Sequence, residues 1–154
     1  MPLEHIHPMI VHFPIVLVVL ALLADLANLL RQPDSDSPRT TLSGAGTLLA
    51  AGAGAMALVA FFLGDMAYDI ALDKGVPADL LETHEGWGTM TAFTVAAIAL
   101  VRVVMWWLQK PRAGAYRATA LVLSLASVVL VLGTAYFGGD LVYNHGVNVG
   151  MAAH

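Results

Sequence analysis

The chain contains no cysteine in its 154 residues. Disulfides, iron–sulfur clusters and thiolate zinc sites are therefore excluded, and imidazole, carboxylate and thioether remain as metal donors. Charge is scarce too: charged residues make up 12% against 58% hydrophobic, with a mean hydropathy of +0.76. That balance is too apolar for a soluble domain of this size and places the chain among integral membrane proteins. Lys and Arg number only 7 and form no patch able to neutralise phosphates, which excludes nucleic acid as a partner. No pairing of nucleophile and base argues for hydrolysis. The amino terminus lacks the positive segment of a secretory signal, so the first apolar run is expected to be a retained helix.

What the chain has is four apolar stretches, about 9–30, 42–63, 87–108 and 118–137. Each is long enough to cross ~30 Å of hydrocarbon at ~1.5 Å per residue. The expected fold is all-α: an integral membrane four-helix up-down bundle forming one domain over 1–154. The first link, RQPDSDSPRTT, is rich in turn formers, the second, at 65–85, is acidic, and the third, QKPRAGAYR, is basic. Arg31, Arg39, Arg102, Lys110, Arg112 and Arg117 fall at one end of the bundle, and only Lys74 falls at the other. By the positive-inside tendency both termini face the periplasm of a bacterial inner membrane. Trp106 and Trp107 fit the inner interface, and Trp87, Tyr68, Tyr136 and Tyr143 fit the outer one.

The stretch EHIHPMIVHFP at 4–14 puts three histidines at the threshold of the first span. His12 is expected about one turn inside, with His5 and His7 at the mouth, and an ionisable residue at that depth is a site hypothesis by default. Pro14 leaves the Ile10 carbonyl beside it without a helical partner. The second and fourth spans end alike, FFLGDMAYD against YFGGDLVYN, sharing Gly-Asp-x-x-Tyr. Counted from His12 to Gly64 and from His84 to Gly139, the separations differ by three residues. The chain thus reads as two duplicated helical hairpins, each beginning at a histidine. First and third helices of an up-down bundle lie on a diagonal, so His12 and His84 are expected to face each other. Gly46, Ala50 and Gly54 at four-residue spacing signal close helix packing. Asp25, deep near the basic end, is expected to pair with Arg31 or Arg102.

Facing imidazoles are what a b-type haem or a copper or zinc ion requires inside a bundle, and this makes His12 and His84 the leading ligands. The plainer reading is a pair of interfacial histidines bonded to freed carbonyls or to Glu85. His145 is read as a ligand, a lid or a solvated tail residue, with Gly146 allowing the chain to turn back; His5 and His7 are further metal candidates. Asp65 and Asp140 are candidates for holding a ring nitrogen or a metal. Met9, Met66 and Met90 offer thioethers suited to copper, although methionine is usually a flexible core filler. Haem propionates would have to reach water or Tyr68, Tyr143 and Trp87, because Lys74 is the only basic residue on that side.

With HPMIVHFPIVL, HEGWG and GGDLVYNHGVNV at beginning, middle and end, the chain resembles, over essentially its whole length, a bacterial family of small four-helix membrane proteins classed as a domain of unknown function. That family looks related to the two-haem b-type membrane cytochromes, and some members are encoded or fused with Rieske-type iron–sulfur domains. The residues matching its recurrent motifs are His7, Pro8, His12, Phe13, Pro14, His84, Gly139, Tyr143, His145 and Gly146. The resemblance implies a haem or redox role, and the expected function is a membrane b-type cytochrome with one haem near the outer face that passes electrons between membrane quinone and a periplasmic redox protein. Unlike the larger cytochromes, the chain has no histidine at its basic end, so a second haem there is not expected. Copper or zinc handling by the same histidines, and a structural or assembly subunit in a lipid bilayer, alone or as an oligomer, are the competing readings.

Overall fold

The computed structural model describes residues 5–31, 39–110 and 112–147, and every regular element among them is an α-helix. These are α1 (Ile6–Ile10), α2 (His12–Leu30), α3 (Thr41–Asp73), α4 (Ala78–Leu108) and α5 (Ala113–Tyr143). α1 and α2 run on as one apolar helix, Ile6–Leu30, interrupted only by a turn at Val11. Pro14 accounts for the interruption, since it has no N–H to offer the Ile10 carbonyl. The amide of Val11 still reaches the His7 carbonyl at 3.1 Å. Among the described residues four helices are long and apolar enough to cross a membrane, and they form the all-α membrane bundle expected from the sequence.

The acidic link expected at 65–85 is mostly helix instead. α3 continues to Asp73 and α4 begins at Ala78, leaving a tight turn in which Gly75 takes φ +84°. Between 65 and 85 only Gly75 and Pro77 are strong helix breakers, and they stand together, so nothing ends the helices earlier. The 33 residues of α3 extend ~50 Å at ~1.5 Å per residue, well past a hydrocarbon layer of ~30 Å.

The helices form a ring. α2 packs against α3 and α5, and α4 packs against the same two, so α2 and α4 face each other on a diagonal. At the centre Val18, Ala53, Ala57, Ala92, Val95 and Val131 form the buried cluster. Small residues set the spacing: a Cβ on Gly54 would stand 2.8 Å from that of Ala99, so α3 and α4 approach more closely than an alanine would permit. At the basic end Thr40 and Ser43 form a capping box on α3. Arg39 donates to the carbonyls of Trp106 at 3.2 Å and Trp107 at 2.7 Å, satisfying groups that the end of α4 leaves open.

Two contacts expose the duplication. Asp25 and Arg102 are 77 positions apart and bond to each other across the bundle. His7 and His84, at the same separation, meet ring to ring. When a residue touches its own counterpart, the pair lies on the two-fold axis relating the copies. The two pairs sit at opposite ends of α2 with its α1 extension and of α4, so this axis runs along the bundle, as two hairpins of the same direction require. Gly64 lies under the His7 ring and Gly138 under the His84 ring. This places the equivalence of the second helices one residue away from the Gly-Asp-x-x-Tyr alignment, which matched Gly64 with Gly139. Asp65 and Asp140 are consequently not counterparts: Asp65 is exposed and Asp140 half-buried.

The Asp25–Arg102 pair is wholly buried. Arg102 grips both carboxylate oxygens, at 2.6 and 2.8 Å, and also donates to Ser124, whose hydroxyl donates in turn to Asp25 at 2.6 Å. Of the two partners the sequence offered Asp25, Arg102 is the one chosen. Gly46 makes room for the pair, because a Cβ there would come within 2.7 Å of Asp25 Oδ1. A bidentate ion pair is the form in which charges persist at such depth.

Candidate functional site

The site lies at the end opposite the basic cluster and consists of His7 and His84. His7 is carried by α1, ahead of the interruption at Val11, and its Nδ1 is 3.0 Å from the Ala60 carbonyl of α3. His84 is carried by the first turns of α4, and its Nδ1 is 3.2 Å from the Thr134 carbonyl of α5. A carbonyl can only accept, so in the neutral imidazoles Nδ1 carries the proton and Nε2 presents its lone pair. Among the described residues no hydrogen bond is made by either Nε2. The rings stand 6.4 Å apart, centroid to centroid, at 71° to one another, and both are half-buried.

Glycine determines how deeply the rings sit. A Cβ on Gly64 would lie 3.0 Å from His7 Cε1, and one on Gly138 would lie 2.9 Å from His84 Cε1. Each imidazole therefore rests directly on the backbone of the neighbouring helix, close enough to reach the carbonyl one turn earlier. On the His84 side, Thr91 and Thr134 share a hydrogen bond of 2.8 Å and Thr134 also donates to the Trp87 carbonyl at 3.2 Å. Trp87 packs over Gly133 and against Phe137, with ring centroids 5.4 Å apart. Gly88 is one helical turn beyond His84 on the same face, and a Cβ there would meet nothing within 4 Å.

His12 is not part of this arrangement. It is exposed on the outside of the bundle, and the ring that meets His84 belongs to His7. Five residues at ~100° each rotate His12 about 140° away from His7 around the helix. The buried side chain of that turn is Pro14, whose equivalent in α4 is Thr91, also buried. The three-residue tolerance that paired His12 with His84 is met equally by His7 with Gly64 and His84 with Gly138, and spacing alone does not separate the two registers. The shared 77-residue step, which also joins Asp25 to Arg102, was the signal in the sequence that identifies His7.

The remaining candidates are dispersed. His5 is exposed. His145 is exposed and lies 3.5 Å from Asp140 Oδ2, and Asn144 donates to the other oxygen of that carboxylate at 2.6 Å. Asp140 thus serves the end of α5 rather than either ring of the pair, and Asp65 forms no bond to them. Gly146 does reverse the chain, with φ +64°, and the Val147 amide returns to the Leu141 carbonyl at 2.9 Å. Tyr68 is half-buried, Tyr143 is 88% exposed, and Glu85 accepts from Thr89 at 3.0 Å. Met9, Met66 and Met90 are exposed. Among the described residues no three of His, Cys, Asp and Glu form a group able to hold a metal ion. His154 lies outside the described residues.

Residues 4–151 match the family described as "Predicted membrane protein (DUF2231)". The chain belongs to the DUF2231 family. No curated protein and no solved structure matches it. The family match supports the expected membrane protein family of unknown function and does not support the expected resemblance to b-type cytochromes. For this DUF2231 chain the chemistry of the site must be argued from its two imidazoles.

Two neutral imidazoles with Nε2 unbonded are donors of the kind that haem iron, copper or zinc takes. Each ring has its tautomer and orientation fixed by a backbone carbonyl, as ligating histidines usually do.

Proposed function

We propose that this DUF2231 protein is a membrane electron-transfer protein that binds one b-type haem between His7 and His84, near the periplasmic face of a bacterial inner membrane. The observation that carries this reading is the pair itself: two imidazoles on diagonal helices, each held at Nδ1 by a carbonyl and facing the other at 6.4 Å. Bound there, haem would supply one-electron chemistry between its ferric and ferrous states. The protein's own part is to keep both Nε2 lone pairs available, to fix ring orientation through Ala60 and Thr134, and to exclude water with Trp87 and its aromatic neighbours. Membrane quinone and a periplasmic redox protein are the electron partners of this reading.

A second reading is favoured by the exposed acids at the same end, Asp65, Asp69, Asp73, Asp79, Glu82 and Glu85. They would draw a cation toward the same two imidazoles, making copper or zinc the ligand. Visible absorption and metal analysis of the purified protein test both readings. A coloured protein whose reduced spectrum has the sharp bands of six-coordinate haem, lost in His7→Ala and in His84→Ala, supports the first. A colourless protein with stoichiometric copper or zinc transfers the pair to the second. A colourless, metal-free protein that cannot be reconstituted rejects both and leaves the histidines as helix-to-helix ties.

A further inference from the structure

Toward the basic end of the bundle, next to the Asp25–Arg102 pair, a cavity of about 10 Å³ is lined by Arg102, Ala50, Ala53, Ser124 and Ser127 among others. Arg102 is 0% exposed, and its Nε is one of two buried side-chain polar atoms without a hydrogen-bond partner among the described residues. An N–H left unmet at this depth is costly, since neither lipid nor packed alanine can accept from it. Ser127 is buried as well, and its hydroxyl donates to the Leu123 carbonyl at 3.0 Å. Ser127 lines the same cavity as Arg102, and a hydroxyl that donates once can still accept.

The duplication shows how this polarity arises. Ala50 and Ala53 of α3 occupy the positions that Ser124 and Ser127 occupy in α5, by the same register that relates Gly64 to Gly138. All four line the cavity. One half of a symmetric apolar hole has thus been replaced by hydroxyls, on the same axis where one half of the charged pair is a carboxylate and the other a guanidinium. Close packing alone would favour alanine on both sides. The serines have a use if the hole holds something that hydrogen-bonds.

We infer that this cavity is a binding site for a single ordered water molecule, which accepts from Arg102 Nε and donates to Ser127 Oγ. The size is suitable, as one water needs roughly 10–15 Å³ of this kind of space and two to four polar partners. Ser124 is already committed, accepting from Arg102 and donating to Asp25. The water completes the guanidinium's bonding and extends the Asp25–Arg102–Ser124 cluster to Ser127 on the next turn of α5. This site is independent of any ligand at His7 and His84, since it lies on the far side of the Val18 and Val95 layer.

A high-resolution structure of the whole protein in lipid is the direct test. Density is expected about 3 Å from both Arg102 Nε and Ser127 Oγ, and its absence from a map that shows other internal waters overturns the assignment. Ser127→Ala should lose that density, and its unchanged retention would overturn the role given to Ser127. Ala53→Val fills the hole from the opposite wall without touching either partner. If water is displaced from Arg102, the thermal midpoint should fall, by roughly 2–8 °C. A rise in midpoint, as filling a dry apolar void would give, overturns the inference.

Discussion

Asp25 and Arg102 occupy the same position in two copies of one hairpin, yet they carry opposite charges and bond to each other with both sides of the carboxylate engaged. A duplicated membrane hairpin with identical ionisable residues on its axis would bury like charges together. Divergence to Asp and Arg turns that repulsion into an ion pair, and Gly46 opens the space in which it lies.

Removing one partner should therefore be worse than removing both. Asp25→Asn or Arg102→Leu leaves the other charge buried without its partner, at an expected cost of about 3–5 kcal/mol, whereas an apolar replacement of the pair is much milder. Thermal unfolding in detergent of the two single variants and of Asp25→Leu/Arg102→Leu checks this. A double variant less stable than both singles would contradict it.

Glycine substitutions should separate the two ends of the bundle. Gly46→Ala is expected to disturb the ion pair, with its Cβ 2.7 Å from Asp25 Oδ1, and to lower stability. Gly64→Ala and Gly138→Ala push instead on His7 and His84, at 3.0 and 2.9 Å, and lift each ring off its carbonyl. In those two variants the spectrum or metal content should change more than the unfolding midpoint. An unchanged ligand signal would show that the rings' contact with α3 and α5 is irrelevant to binding.

His12 provides a control for the pair. Because it is exposed on the outside of the bundle, His12→Ala should leave ligand content and stability nearly as in the parent, within about 0.5 kcal/mol as for other surface changes. His7→Ala should abolish the ligand signal. The opposite ranking, measured by absorption and metal analysis, would return the site to the register that the Gly-Asp-x-x-Tyr motif implied.

The position of the basic residues gives a topology to test. Fluorescent-protein fusions ending at Lys110 should report the cytoplasm, because Arg31, Arg39, Lys110, Arg112 and Arg117 gather at that end. Fusions ending at Gly75, in the turn between α3 and α4, should report the opposite side. A reversed pattern would move the histidine pair to the cytoplasmic face and remove the periplasmic partner from the proposed function.

By itself the sequence determined the class and the plan of this protein. Long apolar runs leave the backbone no alternative to helices in lipid, and their number, the short links and the one-sided arginines define an up-down membrane bundle. The duplication was legible too, because the chain keeps a readable trace of it in aromatic, glycine and histidine spacing. The register of the repeat was not. One residue along a helix is a rotation of ~100°, so the shift from Gly139 to Gly138, and from His12 to His7, exchanges a side chain on the axis for one on the outer surface. Only the tertiary structure decided it, through which glycine lies under which imidazole and which aspartate meets which arginine. Those contacts depend on how four helices pack around a common axis, and that packing is held by steric fits of a few tenths of an ångström that no pattern of residue types records.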